Sequence, residues 1–216
     1  MEKTTLIKKI RINTTIELLT GTHIGGSKDN VEIGGIDNPV IKLETRNNEP
    51  YLHGSSLKGK MRCLLEQMAG SPKVGGSEEI NRLFGSADAN HPAPSRLIVR
   101  DATLTPESSR MRRECHMDMP YTECKYENVI DRVKGTAEHP RQTERVPAGA
   151  IFNVEMIVNV WNCDDEAELM SLLRKGKTAL ENDYIGGSGS RGYGQIRFGD
   201  WKETPLSNEN NWTDKQ

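Results

Sequence analysis

Ile10, Ile12, Thr14, Ile16 and Leu18 alternate with mostly polar residues near the start of the chain, a period of two that predicts a long strand with one buried face. The same period returns at Phe152, Val154, Met156, Val158 and Val160 and predicts a second such strand. Between them, Leu57, Met61, Leu64, Leu65 and Met68 recur at helical spacing, with Ser55 or Ser56 as the cap and Gly70 as the stop. Asp164 or Asp165 opens a second helix that carries Leu169, Leu172, Leu173 and Leu180. Leu97 to Leu104 and Ile196 to Trp201 read as further strands, and Glu78 to Phe84 as a short helical turn. The order β, α, β, β, α, β predicts an α+β fold with a ferredoxin-like or RNA-recognition-motif core. Two helices then cover one face of an antiparallel sheet and leave the other face free.

Two stretches lack such a period. Thr20 to Gly35 is glycine-rich, and the span from about 21 to 53 is read as a loop or lid insertion. Glu107 to Glu144 holds charges, prolines and polar groups without an apolar repeat, so about 107 to 145 is read as a projecting insertion. The core then comprises about 5–20, 54–105 and 146–201 of a single domain of 216 residues, with 208–216 as a tail.

Composition adds the setting. With 34% hydrophobic and 28% charged residues, much of the chain is surface or interface, as in a subunit of a larger assembly. No apolar run approaches bilayer length, and Met1-Glu2-Lys3-Thr4 lacks a signal-peptide core. The expectation is a cytoplasmic protein without a membrane partner, with Cys63, Cys115, Cys124 and Cys163 reduced. A net charge of -2 argues against a general nucleic-acid coat. Three basic groups stand out nonetheless: Lys58, Lys60 and Arg62; Arg110, Arg112 and Arg113; and Arg132, Lys134, Arg141 and Arg145. They fit a confined electrostatic track.

Gly186 to Gly194 contains five glycines and Arg191, a composition suited to turning backbone N–H groups and one fixed charge toward a phosphate. Gly54-Ser55-Ser56-Leu57-Lys58-Gly59-Lys60-Met61 nearly spells a nucleotide-binding P-loop, but Met61 stands where the magnesium-binding hydroxyl belongs, and the surrounding pattern is antiparallel. The same residues make a helix N-terminus that can seat a phosphodiester. Cys115, His116 and Cys124 form a secondary zinc candidate, with Cys63, Cys163 or His139 as a fourth ligand, although their spacing matches no standard zinc knuckle.

The motifs His23-Ile24-Gly25-Gly26, Ile33 to Val40, Gly54 to Arg62, Tyr126-Glu127-Asn128 with Ile130-Asp131-Arg132, Pro140-Arg141-Gln142 with Glu144-Arg145, and Gly186 to Gly194 run in order along the chain. Together they resemble the repeated backbone subunit of type III-A CRISPR (Csm) effector complexes, within the RAMP superfamily. The resemblance implies a subunit that polymerises with further copies of itself and with other Csm subunits along a CRISPR guide RNA, and cuts paired target RNA at regular intervals. It assigns guide contacts to His23, to Ser55, Ser56, Lys58, Lys60 and Arg62, and to Gly187, Ser188 and Arg191. Tyr121 to Arg145 corresponds to a thumb hairpin that wedges into the guide–target duplex, where Arg132, Arg141 and Arg145 hold distorted phosphates.

Asp37 matches the catalytic aspartate of that family. On residues alone Asp37-Asn38-Pro39 is a good turn. As a catalyst, Asp37 accepts the 2′-OH proton or holds a divalent cation, Mg2+ by expectation, that lowers the proton's pKa. Asp29 lies in the same loop and serves as its control, while His23 remains open as a general base. Two rivals stay in view: a structural guide-binding subunit that cuts nothing, and a guide-processing ribonuclease of the same superfamily.

Overall fold

The computed structural model describes residues 4–25, 38–88, 92–115 and 119–207. In chain order the elements begin with β1 (Leu6–Leu18), β2 (Lys42–Leu43), β3 (Glu49–Leu52), α1 (Gly54–Met68) and α2 (Glu78–Phe84). There follow β4 (Leu97–Val99), β5 (Ala102–Leu104), α3 (Pro106–Glu114), β6 (Glu123–Ile130) and β7 (Ala137–Arg145). The chain continues with β8 (Ile151–Trp161), α4 (Glu166–Glu181), β9 (Ile196–Phe198) and β10 (Lys202–Ser207).

β1 and β8 pair antiparallel and form the centre of the main sheet, with Ile10 opposite Val158, Ile12 opposite Met156 and Ile16 opposite Phe152. These side chains are almost wholly buried, and each such aliphatic contributes about 2 kcal/mol relative to exposure. Short strands flank the pair: β9 and β10 on the outer edge of β1, β4 and β5 on the outer edge of β8. β3 extends the sheet from β5, and β2 from β3. The face opposite the buried row is ionic, with Glu155 receiving Arg100 Nε at 2.7 Å and Arg11 Nε at 3.7 Å.

α1 and α4 cover the buried row. Gly176 of α4 lets them approach, since a Cβ there would lie 3.3 Å from Leu65 Cδ1. Asp165 caps α4, accepting from the N–H groups of Ala167 and Glu168 at 2.8 and 3.2 Å. α1 departs from the sequence expectation: neither Ser55 nor Ser56 caps it. The N-cap position is His53, and the Gly54 N–H donates to Asp101 Oδ1 at 2.8 Å. The helix starts this early because Gly54 sits against the chain between β4 and β5, where a Cβ would come within 2.3 Å of Val99 O.

Five further differences matter. The strand expected over Leu97–Leu104 is two strands, broken at Arg100 and Asp101. Residues 49–52, assigned to a lid, are a strand of the main sheet. The insertion expected over 107–145 opens with an unexpected helix, α3, capped by Thr105 with Pro106 in its first turn, and the separate two-stranded ribbon of β6 and β7 stands where the hairpin was expected. That ribbon has a break in register between Glu127 and Val129, where β7 carries His139 with φ of 51°. Lastly, β10 adds an edge strand beyond the one expected to end at Trp201, and Met68, expected in the core, is exposed.

Candidate RNA-binding cleft

The first loop, the base of the ribbon and the C-terminal glycine loop meet at a cleft of about 230 Å³ lined by His23, Asn38, Glu127, Arg141, Thr143, Ser188 and Arg191. Each wall has a local cause. The loop around Gly186 is pressed against the first loop: its φ is +83°, and a Cβ would lie 2.3 Å from His23 O. The next amide, Gly187 N–H, donates to that same oxygen at 2.9 Å. Ser188 then takes the left-handed conformation and starts a short 3-10 turn, Gly189–Arg191, which carries Arg191 toward the ribbon.

The His23 ring is oriented by Glu144, whose backbone oxygen lies 2.7 Å from Nδ1. A carbonyl only accepts, so Nδ1 carries a proton and Nε2 is the nitrogen left for other work. Asn38 enters beside Thr143 of β7, and its carbonyl accepts from the Glu144 N–H at 3.1 Å.

Glu127 of β6 is the anion of the cleft. Its Oε2 lies 3.2 Å from Arg191 Nη1 and 3.6 Å from Arg141 Nε, and its Oε1 lies 3.6 Å from Lys125 Nζ. The buried Tyr193 hydroxyl donates to Oε1 at 3.0 Å. Burial alone would push the Glu127 carboxyl upward, but the Tyr193 hydrogen bond and the charges of Lys125, Arg191 and Arg141 outweigh it and hold the group below 4.5. Tyr193 moves the opposite way, to about 12, through burial and the Glu127 carboxylate. Among the described residues Arg141 Nε has no hydrogen-bond partner, so the cleft holds a buried donor beside the half-exposed guanidinium group of Arg191.

Sequence-predicted residues divide over this geometry. His23, Arg141, Ser188 and Arg191 line the cleft, with Gly187 behind them. Arg145 lies at its back, bonded to Glu123 at 2.6 Å, stacked 5.1 Å from the Tyr193 ring and filling the space that a side chain on Gly21 would need. Arg132 is in the ribbon tip and donates to Ile130 O. The α1 cations are engaged within the protein. Lys58 donates to Ser95 Oγ and Leu97 O, and burial pushes its pKa down, with Arg62 adding to the effect. Lys60 pairs with Asp183 at 3.0 Å and sits over the Tyr184 ring, and Arg62 holds Glu66 and Asn81. Ser55 and Ser56 lie in the first turn of α1, Ser55 exposed and Ser56 half-buried.

Lys60 nonetheless ties α1 to the root of the glycine loop, where a second hollow of about 520 Å³ runs between Asp183, Tyr184, Ser190 and Gln195. The P-loop reading fails structurally as well, because β3, the strand before α1, pairs antiparallel with β5. Asp37, Asp29 and His116 lie outside the described residues. Cys115 is exposed at the end of α3, Cys124 is half-buried in β6, and no group of three His, Cys, Asp or Glu side chains among the described residues is placed to hold a metal.

Glu127, Tyr193, Thr143 and Glu144 were given no separate role from sequence. Glu127, Glu144 and Tyr193 did fall within the quoted motifs, and for Glu127 a carboxylate between basic residues at Lys125 and Arg132 was the available signal.

A family model for the RAMP superfamily matches residues 15–197. The chain is 44% identical to the CRISPR system Cms endoribonuclease Csm3 of Methanocaldococcus jannaschii, over 94% of this chain and 83% of that one. It is 42% identical to the protein of the same name from Streptococcus thermophilus, over 92% and 90%. Among solved structures, a chain of the Csm3-Csm4 subcomplex in the type III-A CRISPR-Cas interference complex matches with a TM-score of 0.59 and 33% identity, over 95% of this chain and 83% of that one. A chain of the type III-B Cmr-beta complex bound to cognate target RNA shares the fold, with a TM-score of 0.64 at 16% identity over 91% of this chain and 61% of that one. By its sequence over nearly its whole length, and by its fold, this chain belongs to the RAMP superfamily and, within it, to the Csm3 family of CRISPR endoribonucleases.

Proposed function

We propose that the chain is a backbone subunit of a type III-A CRISPR interference complex that binds guide RNA, assembles along it with further copies of itself and with other Csm subunits, and cleaves the paired target RNA at regular intervals. It works in the cytoplasm, and no helix among the described residues is long and apolar enough to cross a membrane. The observation that carries the reading is the convergence of His23, Arg141, Ser188 and Arg191 on a cleft whose edge is Asn38, the residue bonded to Asp37.

In this reading Arg141 and Arg191 exchange Glu127 for an RNA phosphate, and the glycine-loop amides and Ser188 track the backbone without reading bases. Asp37 accepts the proton of a target 2′-OH as that oxygen attacks its own phosphorus. The P–O5′ bond breaks, leaving a 2′,3′-cyclic phosphate on one fragment and a 5′-hydroxyl, protonated from water, on the other. DNA, which lacks the nucleophile, is spared.

A divalent cation belongs to this expectation as an acid that would lower the 2′-OH pKa. Asp37, the residue that would hold it, lies outside the described residues; among the described residues no group of three His, Cys, Asp or Glu side chains is placed to hold a metal, and the Glu127 carboxylate of the cleft is already met by Tyr193 and three cations.

The test is cleavage of a guide-complementary RNA by the complex assembled with this chain or with Asp37→Ala, in magnesium and in EDTA. Periodic cuts that vanish with Asp37→Ala while target binding survives support the reading. Unchanged cuts move catalysis elsewhere and leave a scaffold.

A further inference from the structure

The segment that carries Asp37 leaves the described structure at Gly25 and returns at Asn38. Its two stems are bridged to each other, Gly25 pairing with Val40 and the Ile41 N–H donating to Ile24 O at 3.0 Å. One residue touches both stems. Glu144, near the end of β7, accepts from His23 Nδ1 on the incoming stem through its backbone oxygen. On the outgoing stem its N–H donates to Asn38 O, its Oε2 accepts from the Val40 N–H at 2.8 Å, and its Oε1 lies 2.5 Å from Lys42 Nζ. Oε1 also accepts from Thr122 Oγ1 at 2.6 Å, at the root of β6.

Glu144 is only 1% exposed. A carboxylate taken this far from water needs its donors, and those it has, Thr122 at the root of β6 and Val40 and Lys42 on the outgoing stem, leave it one arrangement. Asn38, Val40 and Lys42 are the first, third and fifth residues after Asp37, so the contacts follow one side of the outgoing stem.

We propose that Glu144 is a positioning residue for target cleavage: its carboxylate fixes the outgoing stem of the Asp37 segment against the root of β6, in one frame with the His23 ring that its backbone oxygen holds. Glu144 touches neither RNA nor the reacting atoms in this assignment. The inference rests on the reading of Asp37 as the residue that takes the 2′-OH proton.

Complexes assembled on guide RNA with wild-type chain, Glu144→Ala, Glu144→Gln and Asp37→Ala are compared for single-turnover cleavage and for target-RNA affinity. Glu144→Ala is expected to slow cleavage about 100-fold, the usual cost of a small misplacement, with target affinity unchanged. Glu144→Gln keeps an acceptor for the Val40 N–H and an amide that pairs with the Thr122 hydroxyl but loses the ion pair with Lys42, so it is expected to recover part of the rate. Wild-type cleavage by Glu144→Ala, a rate loss that only follows lost affinity, or no rescue by Glu144→Gln overturns the proposal.

Should Glu144→Ala fail to assemble, Glu144→Asp serves, because it keeps the charge and draws both oxygens back. Slowed cleavage at unchanged affinity then supports the clamp, and a wild-type rate overturns it. Asp37→Ala separates the two levels. If it cleaves normally, the functional reading fails. If it is silent while Glu144→Ala is normal, only the clamp fails.

Discussion

Tyr193 of the glycine loop donates its hydroxyl hydrogen to Glu127 of the ribbon at 3.0 Å, and this bond joins two parts of the chain that share no sheet. Around it Lys125 and Arg145 lie against the Tyr193 ring at 4.4 and 5.1 Å, so one aromatic ring anchors the base of the ribbon.

Replacing Tyr193 by Phe should cost about 1.5 kcal/mol of stability, the scale of a hydrogen bond to a charged group, read as a lower urea midpoint with an unchanged slope. The alkaline side supplies a second reading. Tyr193 titrates near 12 when folded and near 10.0 when unfolded, so its contribution is full below pH 10 and lost as the pH rises toward 12. Wild-type stability should fall more steeply over that window than that of Tyr193→Phe.

Glu127 has the opposite sign. Its folded pKa lies below the ordinary 4.5, so its contribution is present above that value and is lost as pH falls through the folded pKa. Denaturation midpoints measured from neutrality into the acid range should decline less for Glu127→Gln than for wild type. Equal slopes would mean that the carboxylate is not held by its three cations and Tyr193.

Lys58 and Arg191 should separate stability from RNA affinity. Lys58→Ala strips partners from Ser95 and Leu97 O, and should lower stability by about 1 to 3 kcal/mol, read as a lower urea midpoint. Arg191→Ala, at a half-exposed side chain, should leave stability near wild type, weaken guide-RNA binding, and reduce the salt slope of that binding by about 1. The reverse pattern would place the RNA track on α1.

Gly186→Ala adds a Cβ 2.3 Å from His23 O at a φ of +83°, so the loop must move away from the first loop. The expected result is weaker guide binding together with a lower melting temperature. Gly192→Ala is the control: its φ is also positive, at +84°, but nothing lies within 4 Å of the added carbon. It should keep the cleft intact at a small cost in stability.

Asp101→Ala removes the acceptor that caps α1 at Gly54, and should lower stability by about 1 kcal/mol in denaturant titration. Ser55→Ala and Ser56→Ala should be near neutral, because neither side chain caps the helix.

The central sheet and both large helices were legible because β1, β8, α1 and α4 each bury one clean stripe, and periodicity reports burial. What escaped lacks such a stripe. α3 buries only Ser108, although Thr105-Pro106 was a readable cap, and the ribbon, which exposes Tyr126, Val129, Ile130 and Val133, was expected from the family resemblance and from no period of its own. β4 and β5 read as one strand because the break at Arg100 and Asp101 is made by the approach of Gly54 from elsewhere in the chain. The cleft was half legible. Its glycines, His23 and arginines form motifs, whereas Glu127 and Glu144 acquire partners only when distant segments meet, and the internal ties of Lys58, Lys60 and Arg62 are likewise long-range or helix-surface contacts.

The break in register opposite His139 divides the ribbon into unlike halves. Below it, Glu123, Lys125, Glu127, Arg141 and Arg145 hold by charge; above it, Val129, Ile130 and Val133 present apolar surface. Salt screens the first kind of contact and spares the second. Ionic strength therefore acts on the ribbon as on a wrist, loosening the joint with the body of the protein while the fingertip keeps whatever apolar grip it has.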